Sequence, residues 1–394
     1  MEFCTRIANH LMLKSIQDGV SKNVVSSPLS INAVLNMLAT GSTGHTLERI
    51  LGFLGSKTVE EINSKSRKMV EVATGGGGGS TKKTGNGPIL TMVNGAWVDK
   101  RFPLVAKYKE EVLKGIFKCE ANNVDFRAEA DEAVDEINSW ANTASKGLIK
   151  KFIEREFLFE KTALILANGL YFKGIWDSDY KFNARRRTQK YRDFYLLNGG
   201  TVLVPFMTSS KDYYHGSFDG FKVLKIPYKS HQPNKFSMYF FLPDKRDGLQ
   251  NLLEKFNSNS GFLNEEYFKL AKVPLVEFWI PKFKFSFDFD VLKVMRDMGE
   301  SLSFIENPRD LSEMMHIPSD VPSFFLKMFQ KAYIELDEKE TEAAAVTVMA
   351  FYITECDESS YSFVADHPFL FMIREEGSGL VFFTGAVMNP IQEG

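Results

Sequence analysis

The chain has 394 residues, 44% of them hydrophobic and 25% charged, with a formal net charge of −2 and a pI near 6.4. This is ordinary globular composition. It excludes the basic footprint of a nucleic-acid-binding protein: the cluster Arg185-Arg186-Arg187 is short and reads as a solvated surface group. No apolar run is long enough to cross a bilayer as a helix, so no membrane partner is expected.

Length alone would suit two or three domains. No Pro-rich or Ser-rich linker and no internal repeat divides the sequence, however, so one α+β domain over residues 1–394 is expected. The cysteines Cys4, Cys119 and Cys356 are far apart and odd in number, with no CxxC spacing. Neither a zinc site nor a disulfide framework is implied, and a reducing compartment fits best. The apolar positions Phe3, Ile7, Leu11 and Ile16 recur at helical spacing within a polar segment, which reads as an amphipathic helix rather than a secretory leader. A cytoplasmic, monomeric chain without cofactor is the expectation.

In chain order, Ser27-Pro28 supplies a cap and a first-turn proline for a helix that stops at Gly41. Further helices are expected over Thr46–Phe53 and Val59–Val72. The run Gly75–Gly79 and the STKKTGNGP after it form a loop without the Walker spacing, so no nucleotide site follows. ILTMVNGAWV reads as a strand, Glu132–Thr143 as a helix, and Thr162–Phe172 as a strand buried on both faces. From Thr201 strands predominate: TVLVPFM, KVLKIPY, FSMYFFLP and VEFWIPKFKFSF. The chain has 35 Phe, many alternating with polar residues as in Pro281–Asp290, which marks a strand with one buried face. A hairpin turning at Glu376–Gly379 closes the sequence.

The segment 337–362, DEKETEAAAVTVMAFYITECDESSYS, resists a simple assignment. By propensity Glu338–Ala345 is helical, yet it lies between two strand-like stretches and its second half is β-branched and aromatic. Read as a strand, one face carries Thr341, Ala343, Ala345, Thr347, Met349 and Phe351; the other carries Glu342, Ala344, Val346, Val348, Ala350 and Tyr352. The first face begins small and uncharged, as a strand must if it is to enter a packed sheet. The six histidines are scattered, without HExxH or GxSxG, so no enzyme is expected. His367, in ADHPF, reads as a hydrogen-bonded structural histidine. Trp140, Asn142, Asn168, Phe172 and Pro281 read as fold-forming.

At this point the sequence resembles the serpins, most closely those of plants. The resemblance rests on an ordered set of motifs along nearly the whole chain: SSPLSINAVLNMLATGSTGHT, NGAWVDK, INSWANTASKGLI, LANGLYFKGIW, VPFMT, FSMYFFLPD, IPKFKFSF, FVADHPFLFMIRE and LVFFTGAVMNP. It implies an α+β fold of three β-sheets and about nine helices with an exposed reactive-centre loop at about 340–362. A serine, or alternatively cysteine, protease cuts that loop as substrate. The cut loop then inserts as a new strand into the central sheet and traps the protease covalently.

The family's hinge pattern is two acids, Gly, Thr, Glu and a run of alanines. It falls on Glu338, Lys339, Glu340, Thr341, Glu342, Ala343, Ala344, Ala345, Val346 and Thr347. Lys339 replaces an acid, Val346 a small residue, and Glu340 the glycine that gives the hinge its freedom. Counting from the hinge places the scissile bond at Thr354–Glu355; counting back from FVADHPF moves it toward Ile353–Thr354. Phe351, Tyr352 and Ile353 suit a protease with apolar subsites. No Arg or Lys lies between Thr341 and Ser362, so a target that requires one before the scissile bond is not expected. Cys356 reads as an exposed bystander thiol in the protease-contact loop. The alternative is a non-inhibitory serpin, a substrate or a binding module, and Glu340 is its warrant.

Overall fold

The computed structural model describes residues 1–19, 22–73, 89–147, 149–180, 182, 190–230, 234–258, 268–302, 307–337 and 361–392. The chain opens with helix α1 (Glu2–Gln17), strand β1 (Val24–Ser26) and helices α2 (Pro28–Thr40), α3 (Gly44–Leu54) and α4 (Val59–Ala73). Helix α2 begins as the sequence dictates: the Ser30 N–H donates to Ser27 Oγ at 3.0 Å, and Pro28 fills the first turn. It ends at Gly41, where a Cβ would come within 2.6 Å of Met314. Apolar around its circumference, α2 is buried along nearly its whole length and forms the central helix of the core.

Strands β2 (Ile89–Asp99) and β3 (Glu120–Val124) follow, separated by a π-helix at Tyr108–Lys114. Helix α5 (Ala130–Ala144) and strand β4 (Thr162–Lys173) come next. After them stand β5 (Lys190–Tyr195), β6 (Thr201–Met207), β7 (Asp212–Phe218), β8 (Phe221–Pro227) and β9 (Phe236–Pro243). Helix α6 (Leu249–Ser258), strands β10 (Ala271–Pro274), β11 (Glu277–Pro281) and β12 (Phe283–Asp290), and helix α7 (Val291–Asp297) lead to β13 (Phe325–Leu336). Strands β14 (Ser362–Val364), β15 (Phe369–Glu375) and β16 (Val381–Val387) complete the described elements.

The strands form three sheets. Their orders are β1-β16-β15-β9-β8-β7-β10, β14-β11-β6-β5 and β12-β13-β4-β2-β3. The five-stranded sheet separates two layers of side chains because alternate residues of a strand face opposite ways. In β13, Leu326 and Met328 enter the core over α2, Ala332, Ile334 and Leu336 continue the same face into a second cluster with Phe283, Phe285 and Phe371, and Phe329 joins Trp97, Trp140 and Phe152 beneath α5. The Trp97 and Trp140 rings meet edge to face at 4.8 Å. They fit only because residue 95 is glycine, since a Cβ there would lie 2.3 Å from Trp97. The alternation read in β12 holds, with Phe283, Phe285 and Phe289 buried.

Candidate functional site: a parallel seam between β4 and β13

Strands β4 and β13 lie side by side and parallel, in register from Leu164↔Leu326 to Phe172↔Ile334, with a one-residue shift separating these from the first pair, Thr162↔Phe325. On either side the next neighbours, β2 and β12, are antiparallel to them. A parallel pair can admit a third strand running opposite to both, which converts one slanted ladder into two antiparallel ones. From the end of β13 the chain leaves through Asp337, and it returns at Tyr361 into β14 of a different sheet. The segment long enough to be that third strand is therefore covalently joined to one side of the seam.

At the centre of the seam Asn168 and Gln330 are register partners, both fully buried on the α2 face. Asn168 Nδ2 donates to Asn94 Oδ1 at 2.6 Å, Asn94 Nδ2 to the Phe117 carbonyl at 2.8 Å, and Ser26 Oγ to Gln330 Oε1 at 3.3 Å. Two atoms are left over, Asn168 Oδ1 and Gln330 Nε2, with no partner. Each unpaired buried polar group costs about 1–3 kcal/mol, so these two atoms weaken the middle of the seam. Gln330→Met combined with Ser26→Ala keeps the shape and removes the unpaired donor together with the hydroxyl that would otherwise lose its acceptor. The intact chain is expected to melt about 1–3 °C higher by scanning calorimetry; a lower melting temperature would show that Nε2 is no burden.

The exit end of the seam is acidic. The Asp337 carbonyl accepts from Trp176 Nε1 at 3.2 Å, and Tyr333 Oη donates to Glu335 at 3.1 Å. Burial first, then the charges of Glu335 and Asp337, push the Tyr171 phenol up to about 12, so it stays neutral. At the return end, the Val276 N–H donates to the Tyr361 carbonyl at 2.9 Å and Lys222 Nζ to that of Ser362 at 3.3 Å. The His215 ring lies 5.6 Å from Tyr361 and is held neutral by burial and by Lys222. Both feet of the connection are thus held through their backbone carbonyls, by Trp176 at one end and by Val276 and Lys222 at the other.

The residues assigned from sequence to the hinge (Glu338 to Thr347), to the reactive bond (Ile353, Thr354, Glu355) and to protease contact (Phe351, Tyr352, Cys356) lie outside the described residues. Asn168 stands at the seam and not merely in the core; Gln330, Asn94 and Ser26 escaped the sequence reading. Their only signal was a polar residue in line with apolar ones on one face of a strand. His367 is structural as expected, with Nδ1 2.7 Å from Asp366 and Nε2 2.8 Å from the Pro243 carbonyl. Cys4 and Cys119 are free and buried; burial pushes the Cys4 thiol up to about 11 and the Cys119 thiol higher still. Among the described residues no group of His, Cys, Asp or Glu could hold a metal ion, and no helix is long and apolar enough to cross a membrane.

A family model described as "Serpin (serine protease inhibitor)" matches residues 1–390. Serpin-Z10 of Arabidopsis thaliana is 38% identical over 98% of this chain and 95% of its own length, and Serpin-Z3 of the same plant is 39% identical over 98% and 95%. Among solved structures, Arabidopsis AtSerpin1 in its native stressed conformation superposes with a TM-score of 0.86 at 37% identity, covering 99% of this chain and 97% of that one. With its closed seam, its three sheets and matches that run nearly end to end, the chain belongs to the serpin family.

Proposed function

We propose that this serpin inhibits a serine or cysteine protease by offering residues 338–360 as substrate and inserting the cut segment between β4 and β13. The observation that carries the reading is the unfilled parallel seam, joined covalently at Asp337 to the segment that would fill it.

Register arithmetic supports it. A tight two-residue turn at 338–339 pairs Asp337 with Glu340 and Leu336 with Thr341. Continued along the twelve residues of β13, the ladder sets Thr347 opposite Gln330 and Tyr352 opposite Phe325. The parity matches: Thr341, Ala343, Ala345 and Thr347 fall on the core face with Leu336, Ile334, Ala332 and Gln330. Thr347 then brings a hydroxyl to the atoms left unpaired at the centre. Thr354 passes just beyond the far end of β13, which places the acylated bond Thr354–Glu355, or Ile353–Thr354, clear of the sheet's edge.

One ladder of the seam is exchanged for two. A net gain of about ten hydrogen bonds at about 0.5–1.5 kcal/mol each is on the order of 10 kcal/mol. The uncut chain is accordingly a kinetically trapped state, and no catalytic residue of its own is needed. The target has apolar subsites that accept Phe351, Tyr352 and Ile353, and does not need Arg or Lys before the cut.

Glu340 favours a second reading. It replaces the hinge glycine and pairs with Asp337, a like-charge contact that slows entry; if entry lags deacylation, the chain is a substrate. Mixing with a panel of serine and cysteine proteases distinguishes the two. An SDS-stable covalent band is the expected result, and clean cleavage with full recovery of every protease would establish the substrate reading.

A further inference from the structure

At the end of the seam remote from Asp337 lies a cavity of about 240 Å³. Its floor is apolar, made by Leu292 and Met295 of α7 together with Leu302 and Phe324. Its rim carries Lys161, just before β4, and Arg296 on α7. Among the described residues neither cation has an ion pair or a side-chain hydrogen bond. The one acid in the lining, Glu300, is engaged by Arg49 at 3.3 Å. The outer lip is Phe325, 48% exposed, whose ring lies 5.8 Å from the half-exposed Phe159. The cavity therefore combines a greasy, partly aromatic floor with two positive charges at its mouth that no acid among the described residues engages.

We infer that this cavity is a binding site for a small amphipathic carboxylate, an aryl or alkyl group seated on Leu292, Met295, Leu302 and Phe324 with its carboxylate between Lys161 and Arg296. The volume lies just below the range that holds drug-sized ligands, so a single ring on a short acid chain is the fitting size. An ionised acceptor between a guanidinium and an ammonium makes charge-assisted hydrogen bonds, and the guanidinium fork matches a carboxylate. A neutral amide of the same shape keeps the apolar contacts and one acceptor oxygen but loses the charge and the second oxygen.

The position has a consequence for the inhibitor. The Phe325 N–H donates to the Lys161 carbonyl at 2.8 Å, which ties the starts of β13 and β4 together at the cavity's mouth. A ligand touching Lys161 on one flank and Phe324 and Phe325 on the other clamps the end of the seam that an inserting strand must open last. It stabilises the intact chain by mass action and slows insertion; this second effect alone rests on the inhibitory reading proposed above.

The probe is 3-phenylpropionate, titrated into the intact chain by calorimetry with 3-phenylpropanamide as the neutral control. Saturable binding of the acid is expected, with the amide at least about tenfold weaker and the affinity of the acid reduced at least about tenfold in a Lys161→Ala/Arg296→Ala double variant. Both side chains are exposed, so the double variant keeps its fold. Leu302→Trp, which fills the cavity, is expected to abolish binding. No saturable binding, equal affinity for acid and amide, or full affinity in either variant would overturn the site. Binding is read without any protease and so stands apart from the inhibitory reading. If a covalent complex forms at the same rate with and without bound acid, the clamp is refuted while the site remains.

Discussion

Thr347→Arg is expected to convert the chain from an inhibitor into a substrate. In the insertion register proposed above, Thr347 would face the core opposite Gln330, which is fully buried. A guanidinium carried there without a partner costs several kcal/mol, and even about 3 kcal/mol at the barrier slows entry roughly 100-fold. The acyl bond then hydrolyses first. Gel analysis with a responsive protease should show the variant cut completely, no SDS-stable band, and the protease fully active. Glu342→Arg is the matched control: it adds the same side chain on the outward face, opposite Glu335, and should inhibit normally. Equal behaviour of the two variants would mean that the alternation assigned to the segment is wrong.

Glu340→Gly is expected to act in the opposite direction. The substitution restores the backbone freedom a reversing hinge uses and removes a carboxylate from the acidic end of the seam, where Asp337 and Glu335 already stand. Faster entry shifts the partition between trapping and turnover. The number of inhibitor molecules consumed per protease inactivated should fall several-fold, measured by titrating residual protease activity against inhibitor. An unchanged ratio would mean that Glu340 does not limit the hinge.

Much of the fold was legible in the sequence because its signals are local. Ser27-Pro28 and Gly41 bound α2 through a cap and a close approach, and the apolar run at Thr162–Phe172 is β4, with Lys173 added to its end. The hairpin at Glu376–Gly379 has its positive-φ residue at Gly379. Other elements were not legible. Helix α7 is only seven residues long and starts directly after the alternating Phe run, so its cap, Asp290, reads as one more strand residue. Helix α6 and the π-helix at Tyr108–Lys114 also went unread; the π-helix carries four charged positions, Lys109, Glu110, Glu111 and Lys114, and no apolar stripe of ordinary helical period.

The seam was hidden for a different reason. Asn168 and Gln330 are neighbours only because two parallel strands distant in sequence lie side by side, and no local pattern encodes that pairing. Parity alone divides Glu342 and Ala343 between the two faces of a strand, but what either face would meet on insertion depends on the register of β13. The cationic cavity is hidden in the same way, since Lys161, Arg296 and Phe325 are brought together from three separate stretches.

Calorimetric melting of the intact protein beside the same protein nicked within 351–356 tests strand entry most directly, with the cut position fixed by mass spectrometry. Spread over a 394-residue chain, a gain on the order of 10 kcal/mol raises the melting temperature by about 10 °C or more. A nicked chain that melts with the uncut one, or below it, would mean that nothing enters between β4 and β13, and the inhibitory mechanism would be contradicted.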